Sequence, residues 1–242
     1  MSGIRWRVGC AGWSIPRDAA AAFPHEGSHL ERYAARFSLV EINSSFHRPH
    51  QRKTYERWAA SVPADLTFAA KVPRAVTHDR PLAAGPELER FLGEVAGLGA
   101  KLGALLVQLP PKLALDRRAA RRFFAGLRAR HAGPVVLEAR HASWFAPGVD
   151  ALLVDHAVAQ VAADPRVVPQ AGVPGGWRGL TYFRLHGSPV RYRSSYDAAA
   201  LDVIAGQMCA APGPAWCVFD NTASGAAVDN ALALQARLRE ER

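Results

Sequence analysis

The feature that most constrains this chain is an alternation of short apolar, strand-like runs with helical patterns, repeated along its length. The runs fall at residues 7–13, 39–44, 66–72, 104–109, 134–139, 159–163, 180–185 and 215–219. Helical periodicity follows at 30–37, 52–60, 87–98, 117–130, 149–156, 198–209 and 226–238. Strands buried on both faces read as near-continuous apolar runs, and joining them in parallel requires a crossover, usually a helix. Only after the sixth run does the helix fail. Residues 165–179 carry Pro169, Pro174, Gly175 and Gly176 and are expected to form a loop. Eight such units without a break in composition predict one TIM-like (β/α)8 barrel domain over residues 1–242. Barrels of this kind take roughly 250 residues. An open doubly wound sheet is the alternative, but no G-x-G-x-x-G follows any run, and polar groups end several runs rather than one switch point.

Composition narrows the function classes. A 49% apolar share supplies a continuous core, yet no run of about 18 apolar residues exists to span a membrane. Residues 1–7 lack the apolar stretch of a signal peptide, so a cytoplasmic location is expected. Cys10, Cys209 and Cys217 form neither a disulfide framework nor a metal spacing, and Cys10 and Cys217 read as small buried hydrophobes. The net charge of +9 raises the question of nucleic acid. Its densest cluster, Arg117, Arg118, Arg121 and Arg122 followed by Arg128 and Arg130, shares a helical pattern with Phe123, Phe124 and Leu127. That pattern predicts a solvated outer face.

His25-Glu26-Gly27-Ser28-His29 matches the H-E-x-x-H zinc pattern in letters only. The motif works on a helix, where the two histidines share a face. Here Pro24 and Gly27-Ser28 interrupt it, and Ser28 with Glu31 instead forms a capping box for the next helix.

In a TIM-like barrel, the residues at the carboxyl ends of the strands line the active mouth. Strand by strand these are Trp13 and Ser14; Glu41, Asn43 and Ser45 on one side of the pleat; Lys71, with Arg74 beyond; and Gln108. Glu138 and Arg140 follow on one face, then His141 and Trp144; Asp164; Arg184 and His186; and Asp220 with Asn221. Carboxylates and cations are interleaved, which permits burial of each charge and tunes its protonation. Glu41 and Glu138 are candidate general bases, and His186 can move a proton near neutral pH. Lys71, Arg140 and Arg184 can hold an anion. Asn43, Gln108, Asp164, Asp220 and Asn221 are candidate substrate contacts, and Trp13 and Trp144 are candidates for stacking on a ring. The small polar residues 220–227 open the last helix and could cradle a phosphate. A metal set drawn from Glu41, His47, Glu138, Asp164 and His186 ranks second, because three cations would stand beside it.

These strand ends resemble the family called domain of unknown function 72, or YecE-like. The resemblance lies in the segments 9–13, 40–46, 70–74 with Thr77-His78, 108–111, 138–144, 184–187 and 219–222. It implies a barrel similar to xylose isomerase-like and endonuclease IV-like proteins, and it implies no particular activity. Three positions depart from the family pattern. Ser14-Ile15-Pro16 follows Trp13 where the family has an aromatic, Asp220 replaces the first of two asparagines, and His47 stands where tyrosine is common.

The expectation from residues and resemblance together is a metal-independent, cofactor-free acid–base enzyme acting on a phosphorylated or carboxylated small molecule. The alternatives are a nucleic-acid-binding protein and a metal-dependent phosphodiesterase.

Overall fold

The computed structural model describes residues 6–241, so residues 1–5, which carry most of the signal-peptide reading, lie outside it. Parallel strands β1 (Trp6–Ala11), β2 (Leu39–Ile42), β3 (Thr67–Lys71), β4 (Leu102–Gln108) and β5 (Val135–Glu138) pair in chain order. The sixth barrel strand is split at Val161 into β6 (Val158–Gln160) and β7 (Ala162–Asp164). β6 pairs with β5, and β7 pairs with β9 (Thr181–Leu185). β9 pairs with β10 (Ala215–Phe219), and β10 pairs with β1, closing the ring. The result is the TIM-like (β/α)8 barrel expected from the alternation.

Helices α1 (His29–Ala34), α2 (Ser44–His47), α3 (Arg52–Ala60), α4 (Pro86–Val95), α5 (Arg117–Arg128), α6 (Val149–Asp155), α7 (Ala198–Cys209) and α8 (Ala226–Glu240) are distributed along the connections. None is long and apolar enough to cross a membrane. Between β7 and β9 stands no α-helix, only a 3-10 turn at Pro169–Gly172 and the two-residue strand Gly175–Gly176 (β8), which pairs antiparallel with β6. The Pro/Gly content of this segment leaves it unable to sustain a helix.

Two apolar layers flank the strands. The outer one packs the helices on the barrel through Phe37, Phe68, Phe91, Phe123, Phe124 and Leu234, among others. The inner one consists of Leu39, Ala69, Ala104, Leu106, Val136, Ala159, Val161, Ala163, Leu180, Tyr182, Trp216 and Val218. These inner residues recur at every second position, as alternation along a strand requires. Gly103 makes room at the amino end, where a Cβ would stand 2.1 Å from Thr67 and 2.5 Å from the Trp216 ring.

Several local expectations are refined. The second run ends at Ile42 and turns into α2, so Ser45 does not continue the pleat with Glu41. Its hydroxyl donates instead to the carbonyls of Ile42 (3.0 Å) and Lys71 (2.7 Å). The Ser28–Glu31 capping box is present at α1, with His29 at the first helical position and His25 outside the helix. Cys10 and Cys217 are buried free thiols. On α5, Phe123, Phe124 and Leu127 are buried and Arg118, Arg121 and Arg122 exposed, as predicted for an outer helix. Arg128 departs from that face. Its half-buried guanidinium donates to the carbonyls of His156 (2.7 Å), Gly133 (2.6 Å) and Ala157 (2.7 Å), tying α5 to the next crossover.

Candidate functional site

Six of the strands carry their inward alternation one step past the apolar layer, and there the residue type changes. Leu39 gives way to Glu41, Ala69 to Lys71, Leu106 to Gln108, Val136 to Glu138, Tyr182 to Arg184 and then His186, and Val218 to Asp220. Backbone bonds at the exits hold these positions in register, from Leu109 N to Glu138 O (3.0 Å), His186 N to Asp164 O (2.8 Å) and Asp220 N to Leu185 O (2.8 Å).

The centre of the ring is Arg184, whose side chain is fully buried. Its Nη2 donates to Glu41 Oε1 (2.7 Å) and Asp220 Oδ2 (2.8 Å), and its Nη1 donates to Glu138 Oε2 (2.7 Å). Nε reaches both Glu41 oxygens at 3.1 Å, and Gln108 Oε1 accepts from Nη1 at 3.3 Å. One guanidinium thus bridges three carboxylates from three strands. Its planar fork of five donors is suited to such convergence, and a lysine would not replace it.

His186 sits between two of the same carboxylates. Nδ1 lies 3.0 Å from Asp220 Oδ2 and Nε2 lies 3.0 Å from Glu138 Oε1. An ionised carboxylate only accepts, so both ring nitrogens donate when both acids are charged. Arg140 Nε adds a third donor to Glu138, at 2.7 Å from Oε1. Burial would raise the Glu138 carboxyl, but His186, Arg184 and Arg140 outweigh it and hold the acid well below the ordinary glutamate range. Burial also opposes ionisation of Asp220, and Arg184, the His186 hydrogen bond and Lys71 bring it below the ordinary aspartate range. Asn43 Nδ2 donates to Asp220 Oδ1 at 3.4 Å.

Lys71 stands apart from this pairing. It is 8% exposed, and its ammonium makes no ion pair or hydrogen bond with a described residue. Nζ lies 4.2 Å from the centroid of the Phe46 ring. Burial and the charge of Arg184 push the amine down to about 8, against the opposing pull of Glu41, Glu138 and Asp220. Around it, His78 is lowered by burial and by the charges of Arg74, Lys71 and Arg140, and its ring meets Phe46 edge-on at 4.9 Å.

The structure brings together Glu41, Asn43, Lys71, Gln108, Glu138, Arg140, Arg184, His186 and Asp220. The side chains of four other candidates form no hydrogen bond or ion pair with this network. Trp144 is fully buried, donates to Leu113 O (3.0 Å) and presents no face for stacking. Trp13 meets Trp58 edge-on at 5.0 Å, beside α3. Asp164 accepts from the Tyr196 hydroxyl at 2.8 Å, outside the Arg184 network. Asn221 turns toward α8 and donates to Ser194 O and Asn230 Oδ1, both at 2.9 Å. The loop after β10 likewise spends donors internally, with Ala223 N on Tyr192 O (3.0 Å) and Gly225 N on Thr222 O (3.2 Å). Among the described residues no group of three or more His, Cys, Asp or Glu side chains is arranged to hold a metal ion. A guanidinium occupies the middle of the carboxylates instead.

Three contributors escape a reading of strand ends. Tyr182 precedes Arg184 by two residues and donates to Glu41 Oε2 at 3.1 Å. Period-two spacing was a usable signal for it. Phe46 lies on α2, the short helix into which the chain turns after β2. Tyr192 comes from the loop after β9, which leaves through Gly187 at φ +88°, where a Cβ would stand 2.7 Å from Ser194 O. The Tyr192 hydroxyl accepts from Arg140 at 3.5 Å, and its ring meets His186 edge-on at 5.6 Å. No local pattern announces a loop residue of this kind.

Fold and site together define a class: a TIM-like barrel whose carboxyl-end mouth is organised around one buried arginine shared by three acids. Comparison with known proteins gives the family. The family described as "Protein of unknown function DUF72" matches residues 7–242, and the chain belongs to it. The UPF0759 protein YecE of Escherichia coli K12 is 27% identical over 104 residues, covering 43% of this chain and 37% of that protein. The matched segment therefore spans little more than a third of that curated relative. Among solved structures, a DUF72 family protein from Thermotoga maritima MSB8 superposes with a TM-score of 0.80 at 22% identity, covering 98% of this chain and 100% of the other. Another, from Enterococcus faecalis V583, gives 0.80 at 20% identity, covering 97% and 95%. At these identities the likeness is one of fold.

Proposed function

We propose that this protein is a metal-independent acid–base enzyme that takes an anionic small molecule, phosphorylated or carboxylated, at the carboxyl-end mouth of the barrel. The observation that carries the reading is an imbalance. The three ring carboxylates, Glu41, Glu138 and Asp220, are engaged by Arg184, Arg140, His186 and Tyr182, whereas Lys71 has no carboxylate partner among the described residues. Arg140 stands nearby as a second cation, so the mouth favours an added negative charge.

The hydrogen bonds support a division of labour. Glu41 and Glu138 hold Arg184 and His186 in place, and Glu138, kept ionised by three donors, is a positioning group rather than a ready proton acceptor. His186 is the residue suited to moving a proton, and Lys71 and Arg140 to holding the anion. A nucleic-acid reading has less support, because the α5 cluster is divided. Arg117 and Arg128 bond backbone carbonyls, and Arg130 pairs with Glu89 at 2.8 Å.

Calorimetric titration at low salt with inorganic phosphate and with oxalate tests the site without knowledge of the substrate. Binding of at least one probe is expected, weakened about tenfold or more, some 1.4 kcal/mol, by Lys71→Met or Arg140→Ala. Equal affinity in wild type and both variants, or no binding of either anion, refutes the reading.

A further inference from the structure

Lys71 is one of four lysines in the chain, with Lys53, Lys101 and Lys112. The other three are placed as lysines usually are. Lys53 and Lys112 are exposed, and Lys101 donates to the carbonyls of Ala59 (2.5 Å) and Val62 (2.6 Å). Lys71 alone is buried at the mouth of a barrel with its nitrogen bonded to no described residue, beside the face of Phe46.

From this geometry we infer that Lys71 is a covalent nucleophile, forming an imine with an aldehyde or ketone that also carries a carboxylate or phosphate. The inference rests on the anion-binding reading above, leaves the anion to Arg140 once Nζ has bonded to carbon, and names the second functional group of the substrate. An aromatic ring neither donates a proton to the amine nor occupies its lone pair, so neutral Nζ is free to attack. The carboxylates that would otherwise fix it as an ammonium are held by Arg184, Arg140 and His186. With the amine pushed down to about 8, about one molecule in ten carries it neutral at pH 7. An ordinary lysine is neutral in roughly one molecule in several thousand at that pH. Desolvated lysines beside another cation are activated in this way.

The step balances without an oxidant, reductant or co-reactant. The Nζ lone pair forms a bond to the carbonyl carbon as the C–O π bond breaks, and the oxygen takes up a proton to give a carbinolamine. Nitrogen then expels the hydroxyl as water with a second proton, while losing one of its own. The product is a protonated imine, whose positive charge lies near Glu41, Glu138 and Asp220. It withdraws electrons from the adjacent carbon, so a proton or a carbon–carbon bond there becomes easier to cleave.

Reductive trapping with cyanoborohydride near neutral pH tests this on the intact protein, with pyruvate as the carboxylated probe and dihydroxyacetone phosphate as the phosphorylated one. The expected result is a single adduct, mapped by peptide mass to Lys71 and formed about tenfold or more faster than adducts at Lys53, Lys101 or Lys112. It should be absent in Lys71→Arg and slowed by competing inorganic phosphate. Labelling spread evenly over the lysines, or no adduct, overturns the inference, and wild-type protein alone decides this even if the variant folds poorly. Calorimetry on the same samples separates the two ideas. Anion binding without trapping leaves the anion site standing and removes the imine, whereas absence of both removes the site reading as well.

Discussion

The two halves of the barrel interior are built on the same strands by opposite means. In the amino half, Leu39, Ala69, Leu106, Val136, Leu180, Trp216 and Val218 fill the space with apolar side chains, which need only volume and shape. In the carboxyl half, further along the same strands, the space is filled by Glu41, Lys71, Gln108, Glu138, Arg184, His186 and Asp220. The first layer gains stability from removing carbon surface from water. The second must recover the desolvation of several charges through converging bonds, and buried ion pairs often fail to gain net stability over apolar replacements. A chain able to pack its lower interior with aliphatic side chains could do the same above. On the proposed reading, the upper layer retains charge for use, at the cost of a centre intolerant of single losses.

Several variants would break or sharpen that contrast. Arg184→Met should have the largest effect, lowering unfolding stability by about 3–5 kcal/mol because it strands three buried carboxylates. A loss below about 1 kcal/mol in urea melts would place the mouth on a par with surface pairs and dissolve the distinction. Leu106→Ala, in the apolar layer directly beneath, should cost about 3 kcal/mol through the cavity it leaves. That loss should be the same at every pH from mildly acidic to mildly alkaline. A pH-dependent loss there would show that the two layers are not separable.

Lys71→Met should act with opposite sign. The folded amine, near 8, binds its proton less tightly than the unfolded one, so stability rises with pH between about 8 and 10.4. The variant should lose that rise and gain up to about 3 kcal/mol at neutral pH. Stability curves of equal slope in the two proteins would contradict the account of Lys71. The smallest effect belongs to Arg52→Ala. Its 2.9 Å pair with Glu56 joins side chains 63% and 51% exposed, and its removal should change stability by less than about 0.5 kcal/mol. Anything larger would narrow the gap between mouth and surface from the other side.

Much of this arrangement is legible in the residues. Glu138 and Arg140 fall on one face because they are two apart on a strand and just beyond it, and Arg184 and His186 for the same reason. Each carries its charge where an apolar residue would continue the pattern. The failed helix after the sixth strand is equally plain from Pro169, Pro174, Gly175 and Gly176. Trp144 and Asn221 resist such reading. Both follow strand ends, yet a backbone turn sends Trp144 into the outer core and Asn221 toward Asn230, and turns of this kind depend on distant partners. Ser45 fails for a related reason. Its position looked like strand, but the chain bends into a helix where Lys71 O can accept its hydroxyl.

The amino-acid sequence by itself determined the eight barrel units, their alternation of faces and the chemical character of their carboxyl ends, because these depend on local periodicity and on which side chains water excludes. The break in the sixth strand and the extra strand β8 did not follow from it. Only the tertiary structure decided that Arg184 would be shared among Glu41, Glu138 and Asp220 and that Lys71 would meet the Phe46 ring with no ion-pair partner among the described residues. Those pairings join residues as many as 143 positions apart. Which charge meets which is set by strand register and barrel closure, and no local interaction carries that information.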